Sequence, residues 1–364
     1  MKYNLMIIGS GQLAQMICEE SYNIIQHINH IYIYTNSENT PCSYLDFEKL
    51  NYITIHIGEY NDFNKIKEIA DKCHYITYEF EGFDTKIFED ISIKNKIFPS
   101  LDILKIIQDK YNQKIFIFDN IKDINVGNFK IINSYQDIIN FINIYDFPVF
   151  LKSRFGAFDG RGNYLIQNEI DLNNFKNIKP DTYFIENFIN FDKEVSICGC
   201  INSNNEFIHY DIVQNIHKNS ILIKTIFPDN NLKENVKEKI INTLKNILQL
   251  FNTRGIICIE LFIKDDEIYY NELCIRVHNS MHHTLNSNKT SQFENHLRSI
   301  FELNLGKNEP LFNGTFYNII SNLQEIENIK VFENLQKKHY IKMYNKKNIG
   351  VRKVGHIVVE NNLI

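Results

Sequence analysis

The sequence predicts a mixed α/β (α+β) protein of two or three domains. Three observations carry this expectation. At 364 residues the chain exceeds what one simple hydrophobic core serves. Its first stretch alternates short apolar runs with helix-like segments, beginning with a βαβ unit around a glycine turn. A second glycine loop, residues 152–162, and a strand hairpin, residues 255–273, follow in the central region.

Taken in order, Leu5–Ile8 reads as a buried strand, Gly9 to Ala14 as a tight turn, Gln15–Ile28 as a helix and His30–Thr35 as a strand. The turn spells G-x-G-x-x-A, but Thr35-Asn36-Ser37 stands where a dinucleotide site wants an acid, with Glu38 only just beyond. A phosphate of some other ligand on the helix N-terminus, or a turn that needs glycine for geometry alone, serves equally. A strand near Tyr52–Ile55, a helix Asp62–Cys73 and a strand Tyr75–Thr77 continue the alternation. Glu79 and Glu81 then sit at a strand's C-terminal end, where open α/β sheets bind ligands. This first domain is expected to span 1–100, closing near Phe98-Pro99-Ser100. A helix Leu101–Phe118 opens the central region, helices Leu232–Phe251 and Gln292–Leu303 flank the hairpin, and 315–364 reads as short strands.

Composition narrows the function classes. With 44% hydrophobic and 23% charged residues the chain is ordinary for a globular protein. A net charge of −5 does not favour a nucleic-acid backbone as partner. No apolar run reaches the roughly 18 residues that a membrane span needs. Met1-Lys2-Tyr3-Asn4 leads into a strand without a signal-peptide pattern, so a cytoplasmic setting is expected. The seven cysteines lack zinc-like spacing and read as small core hydrophobes in a reducing compartment. The pair His282-His283 lacks a third metal ligand, and the 27 Phe and 20 Tyr read as core filling.

The chemistry concentrates in three stretches. Pairing 255–263 with 267–273 across Lys264-Asp265-Asp266 brings Glu260 near Asn271 and Glu272 at a sheet edge. Carboxylates there are costly unless they hold a cation, and hard oxygen ligands suit Mg²⁺. Arg276, His278 and Asn279 follow at once and could face an anion. Lys152 ends an apolar strand before the loop Phe155–Gly162, a way to neutralise and cradle phosphate, although no Walker sequence is present. Glu186–Ile189 and Glu194 could give backbone to an adenine and a carboxylate to a ribose.

In this order the motifs resemble the ATP-grasp superfamily. Within it the chain is similar to the N5-carboxyaminoimidazole ribonucleotide synthetase family, through Gly9-Ser10-Gly11-Gln12-Leu13, Tyr78-Glu79-Phe80-Glu81, Phe158-Asp159-Gly160-Arg161-Gly162, Glu194-Val195-Ser196 and His217. Asn271-Glu272-Leu273, Arg276-Val277-His278-Asn279-Ser280, Ser291-Gln292-Phe293-Glu294 and Arg352-Lys353-Val354-Gly355-His356 extend the match along the chain. The resemblance implies an ATP-grasp fold with a Rossmann-like pre-ATP-grasp domain (1–100), an ATP-grasp domain (101–305, lid about 115–190) and a small C-terminal β-rich module (306–364). It implies ATP- and bicarbonate-dependent carboxylation of 5-aminoimidazole ribonucleotide in purine biosynthesis, through carboxyphosphate, by a homodimer. ATP would contact Lys110, Lys152, the lid residues Ala157, Phe158, Asp159, Gly160, Arg161, Gly162 and Asn163, then Glu186, Asn187, Phe188, Ile189, Glu194, His217, Asn271 and Glu272. Glu260 and Glu272 would hold Mg²⁺. Arg276, His278 and Asn279, with Asp159 and Arg161, would be catalytic. Gln12, Leu13, Glu79, Glu81, Lys346 and Arg352 would bind the ribonucleotide.

The chain departs from the family pattern at Ala157 and Phe158 of the lid, at Phe155, at Cys274-Ile275, at Met281, and at Asn345 before Lys346. None of these removes a phosphate, metal or bicarbonate group. Another ribonucleotide-directed ATP-grasp ligase, such as a formate-dependent glycinamide ribonucleotide transformylase, and a catalytically silent nucleotide-binding scaffold are the alternatives.

Overall fold

The computed structural model describes residues 1–156, 162–218, 220–321, 338–346 and 352–361. The expected lid residues Ala157, Phe158, Asp159, Gly160 and Arg161 lie outside these.

The N-terminal layer is a four-stranded parallel sheet of β1 (Tyr3–Ile8), β2 (Ile28–Thr35), β3 (Ile53–Ile57) and β4 (Tyr75–Tyr78), in the order β3-β2-β1-β4. Leu5 to Ile8 are fully buried because a parallel sheet is covered on both faces. Helix α1 runs Gln12–Glu20, so Gln12 to Ala14 form its first turn instead of continuing the loop. A kinked 3₁₀ segment, Ser21–His27, replaces the rest of the expected helix, since Ile24 (φ −122°, ψ 25°) leaves helical geometry. Helix α2 (Phe63–Asp71), capped by Asp62, and the single turn α3 (Ile91–Lys94) complete this part.

The helix expected over 101–118 is two helices, α4 (Leu101–Gln108) and α5 (Lys110–Asn120). Asp109 is extended between them (φ −105°, ψ 104°), and its carboxylate accepts the Tyr111 and Asn112 N–H groups at the start of α5. A second sheet follows, built from β5 (Phe129–Ile132), α6 (Tyr135–Tyr145), β6 (Val149–Ser153), β7 (Asn163–Ile166), the turn α7 (Glu169–Leu172) and β8 (Tyr183–Asn187). Its strands are antiparallel in the order β5-β8-β6-β7. It has its own small core, including Ile138, Phe141, Val149, Leu151 and Ile185.

The third sheet is the largest. It contains β9 (Lys193–Ile201), β10 (Phe207–His209), β11 (Val213–Lys218) and β12 (Ile221–Phe227), then, after helix α8 (Glu234–Phe251), β13 (Ile257–Lys264) and β14 (Glu267–Cys274). The turn α9 (Thr284–Ser287) and helix α10 (Gln292–Ile300) lead to β15 (Gly314–Ile320), β16 (His339–Met343) and β17 (Lys353–Glu360). The order is β14-β13-β9-β11-β12-β15-β17-β16, with β10 beside β9. The C-terminal strands therefore continue the central sheet through the β12–β15 pair. Helix α8 presents Val236, Ile240, Leu244 and Ile247 to the core shared with Ile197, Ile257 and Ile259. All seven cysteines are free and buried.

Candidate active site

Strand alternation and one irregularity build the acidic floor. In β13 Cys258, Glu260 and Phe262 share a face, and in β9 so do Glu194, Ser196 and Cys198. The hairpin turn at Asp265 and Asp266, both at positive φ, sets Lys264 opposite Glu267. A regular ladder from there would place Asn271 opposite Glu260 and turn Glu272 to the other face. A bulge between Glu260 and Leu261 instead pairs Glu260 directly with Glu272. The two carboxylates thus stand side by side, and Asn271 turns its amide to Glu194 Oε1 at 3.2 Å.

Each floor carboxylate has a distinct electrostatic setting. Burial raises Glu260 to about 8, and neighbouring Glu194 and Glu272 add to the rise. Burial opposes the charge of Glu272 too, but Lys110 at 3.0 Å holds this carboxyl below its ordinary value. His217 Nδ1 lies 3.1 Å from Glu194, whose carboxylate raises the imidazole against the effect of burial. Among the described residues no three Asp, Glu, His or Cys side chains converge as a ready metal cluster. Two adjacent carboxylates are nevertheless the donor set Mg²⁺ takes when substrate phosphates complete its shell, and Glu260 and Glu272 fit that requirement.

Lysines line the wall facing this floor. Lys110 and Lys114 lie one turn apart on α5, each with its own acid. Glu186 on β8 receives Lys114 at 2.6 Å and Lys152 of β6 at 2.5 Å. Of the segment expected to read a base, the Glu186 carboxylate is therefore already held by two ammonium groups. Its neighbours Asn187, Phe188 and Ile189 leave the strand beside it, and Asn187 Oδ1 is buried without a partner. Gly162 (φ +76°) accepts the Ser153 N–H, and Asn163 begins β7 opposite Lys152.

The loop after β14 is fixed from below. His278 N–H donates to Gln292 Oε1 at 2.8 Å, and Gln292 Nε2 donates to His278 O at 2.7 Å. The His278 side chain turns back to Ser280 (2.8 Å) and lies 3.5 Å from Glu260. Burial, reinforced by Arg276, pushes this imidazole well below its ordinary range, so it is neutral. Arg276 Nε lies 3.6 Å from Glu81, which also accepts the Ile275 N–H at 2.9 Å. Both polar atoms of the Asn279 amide are buried without a partner, in the loop that carries Arg276 and His278.

At the other end, the glycine turn is occupied by protein. Glu79 accepts the N–H groups of Gly11 and Ala14 (3.1 Å to Ala14). It thereby fills the anion position at the α1 N-terminus that the sequence leaves open to a ligand phosphate. A Cβ at Gly11 would lie 2.7 Å from the Glu79 oxygens, so a larger residue there would push this carboxylate off the turn. Gln12 accepts Lys346 Nζ at 2.5 Å and reaches His282 at 3.3 Å, whereas the Leu13 side chain belongs to the apolar core. Arg352 enters β17 beside Lys353, its N–H on Ser321 Oγ. Of the expected residues outside the lid, Lys110 meets Glu272, Lys152 meets Glu186, His278 stands near Glu260, Arg276 near Glu81, and Gln12 meets Lys346, whereas Leu13 does not join them.

Three contributors had no role in the sequence reading, although Gln292 and Lys353 lie inside quoted motifs. Lys114 is signalled only by its i,i+4 relation to Lys110, a like-charge pair on one helix face that needs two acids. Gln292 acts on backbone, and Lys353 is close enough to lower both Glu260 and His278.

Known proteins match the chain along most of its length. Residues 1–108 match the ribonucleotide synthetase preATP-grasp domain, and residues 119–293 match the ATP-grasp domain. N5-carboxyaminoimidazole ribonucleotide synthase of Staphylococcus aureus strain COL is 28% identical over 365 residues, covering 98% of this chain and 92% of that protein. Phosphoribosylaminoimidazole carboxylase of Ogataea methanolica is 30% identical over 96% of this chain and 65% of its own length. The crystal structure of N5-carboxyaminoimidazole synthetase from Staphylococcus aureus complexed with ADP superposes with a TM-score of 0.88 at 27% identity, over 100% of this chain and 94% of that one. The two domain matches, the floor of paired acids and the glutamine-braced arginine loop lead to one assignment: the chain belongs to the N5-carboxyaminoimidazole ribonucleotide synthase family of ATP-grasp ligases.

Proposed function

We propose that this protein uses ATP and bicarbonate to carboxylate the exocyclic amine of 5-aminoimidazole ribonucleotide. Bicarbonate oxygen attacks the γ-phosphorus, the bond to ADP breaks, and carboxyphosphate forms. The amine then attacks the carboxyl carbon, or CO₂ released from it, and inorganic phosphate departs as the amine gives up a proton. The observation that carries the reading is the bulge-aligned pair Glu260 and Glu272 beside Arg276, neutral His278 and the unpartnered amide of Asn279.

The residues divide the work. Glu260 and Glu272 would hold Mg²⁺, which when bound neutralises charge on the transferring phosphoryl. Lys110 and Lys152 neutralise ATP phosphates, the backbone of Asn187–Ile189 faces adenine, and Glu194, kept in place by His217 and Asn271, accepts the ribose hydroxyls. The Arg276 fork matches a planar bicarbonate, to which the Asn279 amide adds a donor and an acceptor. Gln12, Lys346 and Arg352 bind the ribonucleotide's phosphate end. Glu79 organises the glycine turn there, and Glu81 orients Arg276. Asp159 and Arg161, which lie outside the described residues, would by the family resemblance serve the aminoimidazole.

The test is ADP release with Mg²⁺. It should require both bicarbonate and aminoimidazole ribonucleotide and vanish in Glu272→Ala. Turnover with formate and glycinamide ribonucleotide instead would reassign the substrate, and equal background from wild type and Glu272→Ala would make the protein a scaffold. We also expect a homodimer, to be checked by sedimentation. Among the described residues no helix is long and apolar enough to cross a membrane.

A further inference from the structure

We propose that Lys114 is a positioning residue: by staying on Glu186 it lets Lys152 exchange that carboxylate for an ATP phosphate. The inference rests on reading Lys152 as a phosphate ligand and extends it to a residue with no direct role in that reading. The geometry supplies an asymmetric triad. Glu186 has two cationic partners at nearly equal distance, Lys114 at 2.6 Å and Lys152 at 2.5 Å. Their freedom differs. The Lys114 side chain is 4% exposed, and its ammonium lies 5.6 Å from the Phe129 ring and 5.9 Å from the Tyr270 ring. The Lys152 side chain is 12% exposed and stands at the end of β6, before the lid loop.

A lysine cannot serve a buried carboxylate and an incoming phosphate at full strength. If Lys152 turned to phosphate and left Glu186 alone, the cleft would contain a buried unpaired carboxylate, a penalty charged against ATP binding. With Lys114 in place the carboxylate keeps one cation at 2.6 Å, and Lys152 becomes the exchangeable one. The pair of cations on one acid also explains why Glu186 stays ionised: burial opposes its charge, but the two ammonium groups bring it down to about 2. Lys114 is itself pushed below its ordinary value by burial and by Lys152, with Glu186 as its counterweight.

The experiment measures the KM for ATP and for aminoimidazole ribonucleotide, with melting temperature, in Lys114→Met, Lys152→Met and the double variant Lys114→Met/Glu186→Gln. Lys114→Met should raise the ATP KM tenfold or more while the ribonucleotide KM stays within twofold. Adding Glu186→Gln should recover most of that loss, because Lys152 is no longer captive; a residue needed only for folding would move both KM values together. If Lys114→Met does not fold, the double variant decides alone, since it keeps the net charge of the triad: an ATP KM within threefold of wild type supports the exchange, and a rise of tenfold or more overturns it. An unchanged ATP KM in Lys114→Met also overturns it. Lys152→Met separates the two readings. If it leaves ATP affinity unchanged, the phosphate role of Lys152 falls; if it weakens ATP while Lys114→Met does not, only the exchange falls.

Discussion

Gln292→Met offers a sharp separation of positioning from binding. Methionine keeps nearly the volume of glutamine but has no amide, so a fully buried site is filled while its polar contacts are lost. Two of those contacts hold the His278 backbone, its N–H at 2.8 Å and its carbonyl at 2.7 Å, and a third reaches His282 Nδ1 at 3.4 Å. Leaving a buried donor or acceptor unsatisfied costs about 1–3 kcal/mol, so the pair should cost about 2–6 kcal/mol of stability. The backbone of His278 would also be released from its fixed path, moving the loop that holds Arg276 and Asn279. Urea denaturation reads the first effect. Steady-state kinetics with bicarbonate and ATP varied separately read the second, with the bicarbonate KM rising tenfold or more and the ATP KM changing less than threefold. A loss of stability under about 1 kcal/mol would refute the energetic argument. Equal rises in both KM values would refute the claim that Gln292 acts through the His278 loop.

Glu260→Gln should abolish turnover yet stabilise the metal-free protein. Burial and two neighbouring acids raise Glu260 from 4.5 to about 8, so the folded state retains a proton that the unfolded state has released. The wild type therefore loses stability as pH rises from 4.5 through 8, and the advantage of Glu260→Gln should grow between pH 6 and pH 8 in parallel urea curves; a constant difference contradicts this. Gly11→Ala should cost about 1–3 kcal/mol, since its Cβ would meet the Glu79 carboxylate; an unchanged thermal midpoint would remove Glu79 from the glycine turn. Asp109→Ala deletes the α5 cap and leaves nearly buried Arg154 without its two-point partner. Arg154 keeps Asp181 as a partner, so the change should cost about 1–3 kcal/mol and raise the ATP KM by shifting Lys110, whose N–H bonds the Arg154 carbonyl. Normal ATP affinity in the folded variant would show that this strut does not set Lys110.

Much of the fold was legible because the signals are local. Apolar runs and a polar turn announced β13 and β14, and the observed turn lies at Asp265 and Asp266. Helix α8 followed from its apolar periodicity, and its observed start at Glu234 differs from the reading by two residues. The break at Asp109 was missed because an aspartate inside an apolar-periodic stretch is compatible with a helix. In the fold it caps α5, and Arg154, 45 residues away, pairs with the same carboxylate. The C-terminal strands were expected as a module, yet their partner strand β12 lies almost 90 residues earlier than β15, beyond any local signal.

By itself the sequence determined the chemical inventory: two acids and an Asn on one hairpin, an Arg-Val-His-Asn run behind them, lysines ahead of a glycine loop, and an opening parallel α/β unit. Motif order carries that information because each motif is a local run of chain. Only the tertiary structure decided how the inventory is aimed. A one-residue bulge turned Glu272 to the face of Glu260, since side chains alternate along a strand and one extra residue reverses them. Glu79 filled the helix terminus left open for a phosphate, and Gln292 fixed His278 across 14 residues of chain. Lys114 emerged as the second cation on Glu186, because charge balance in a buried cleft depends on distances that no spacing in the chain specifies.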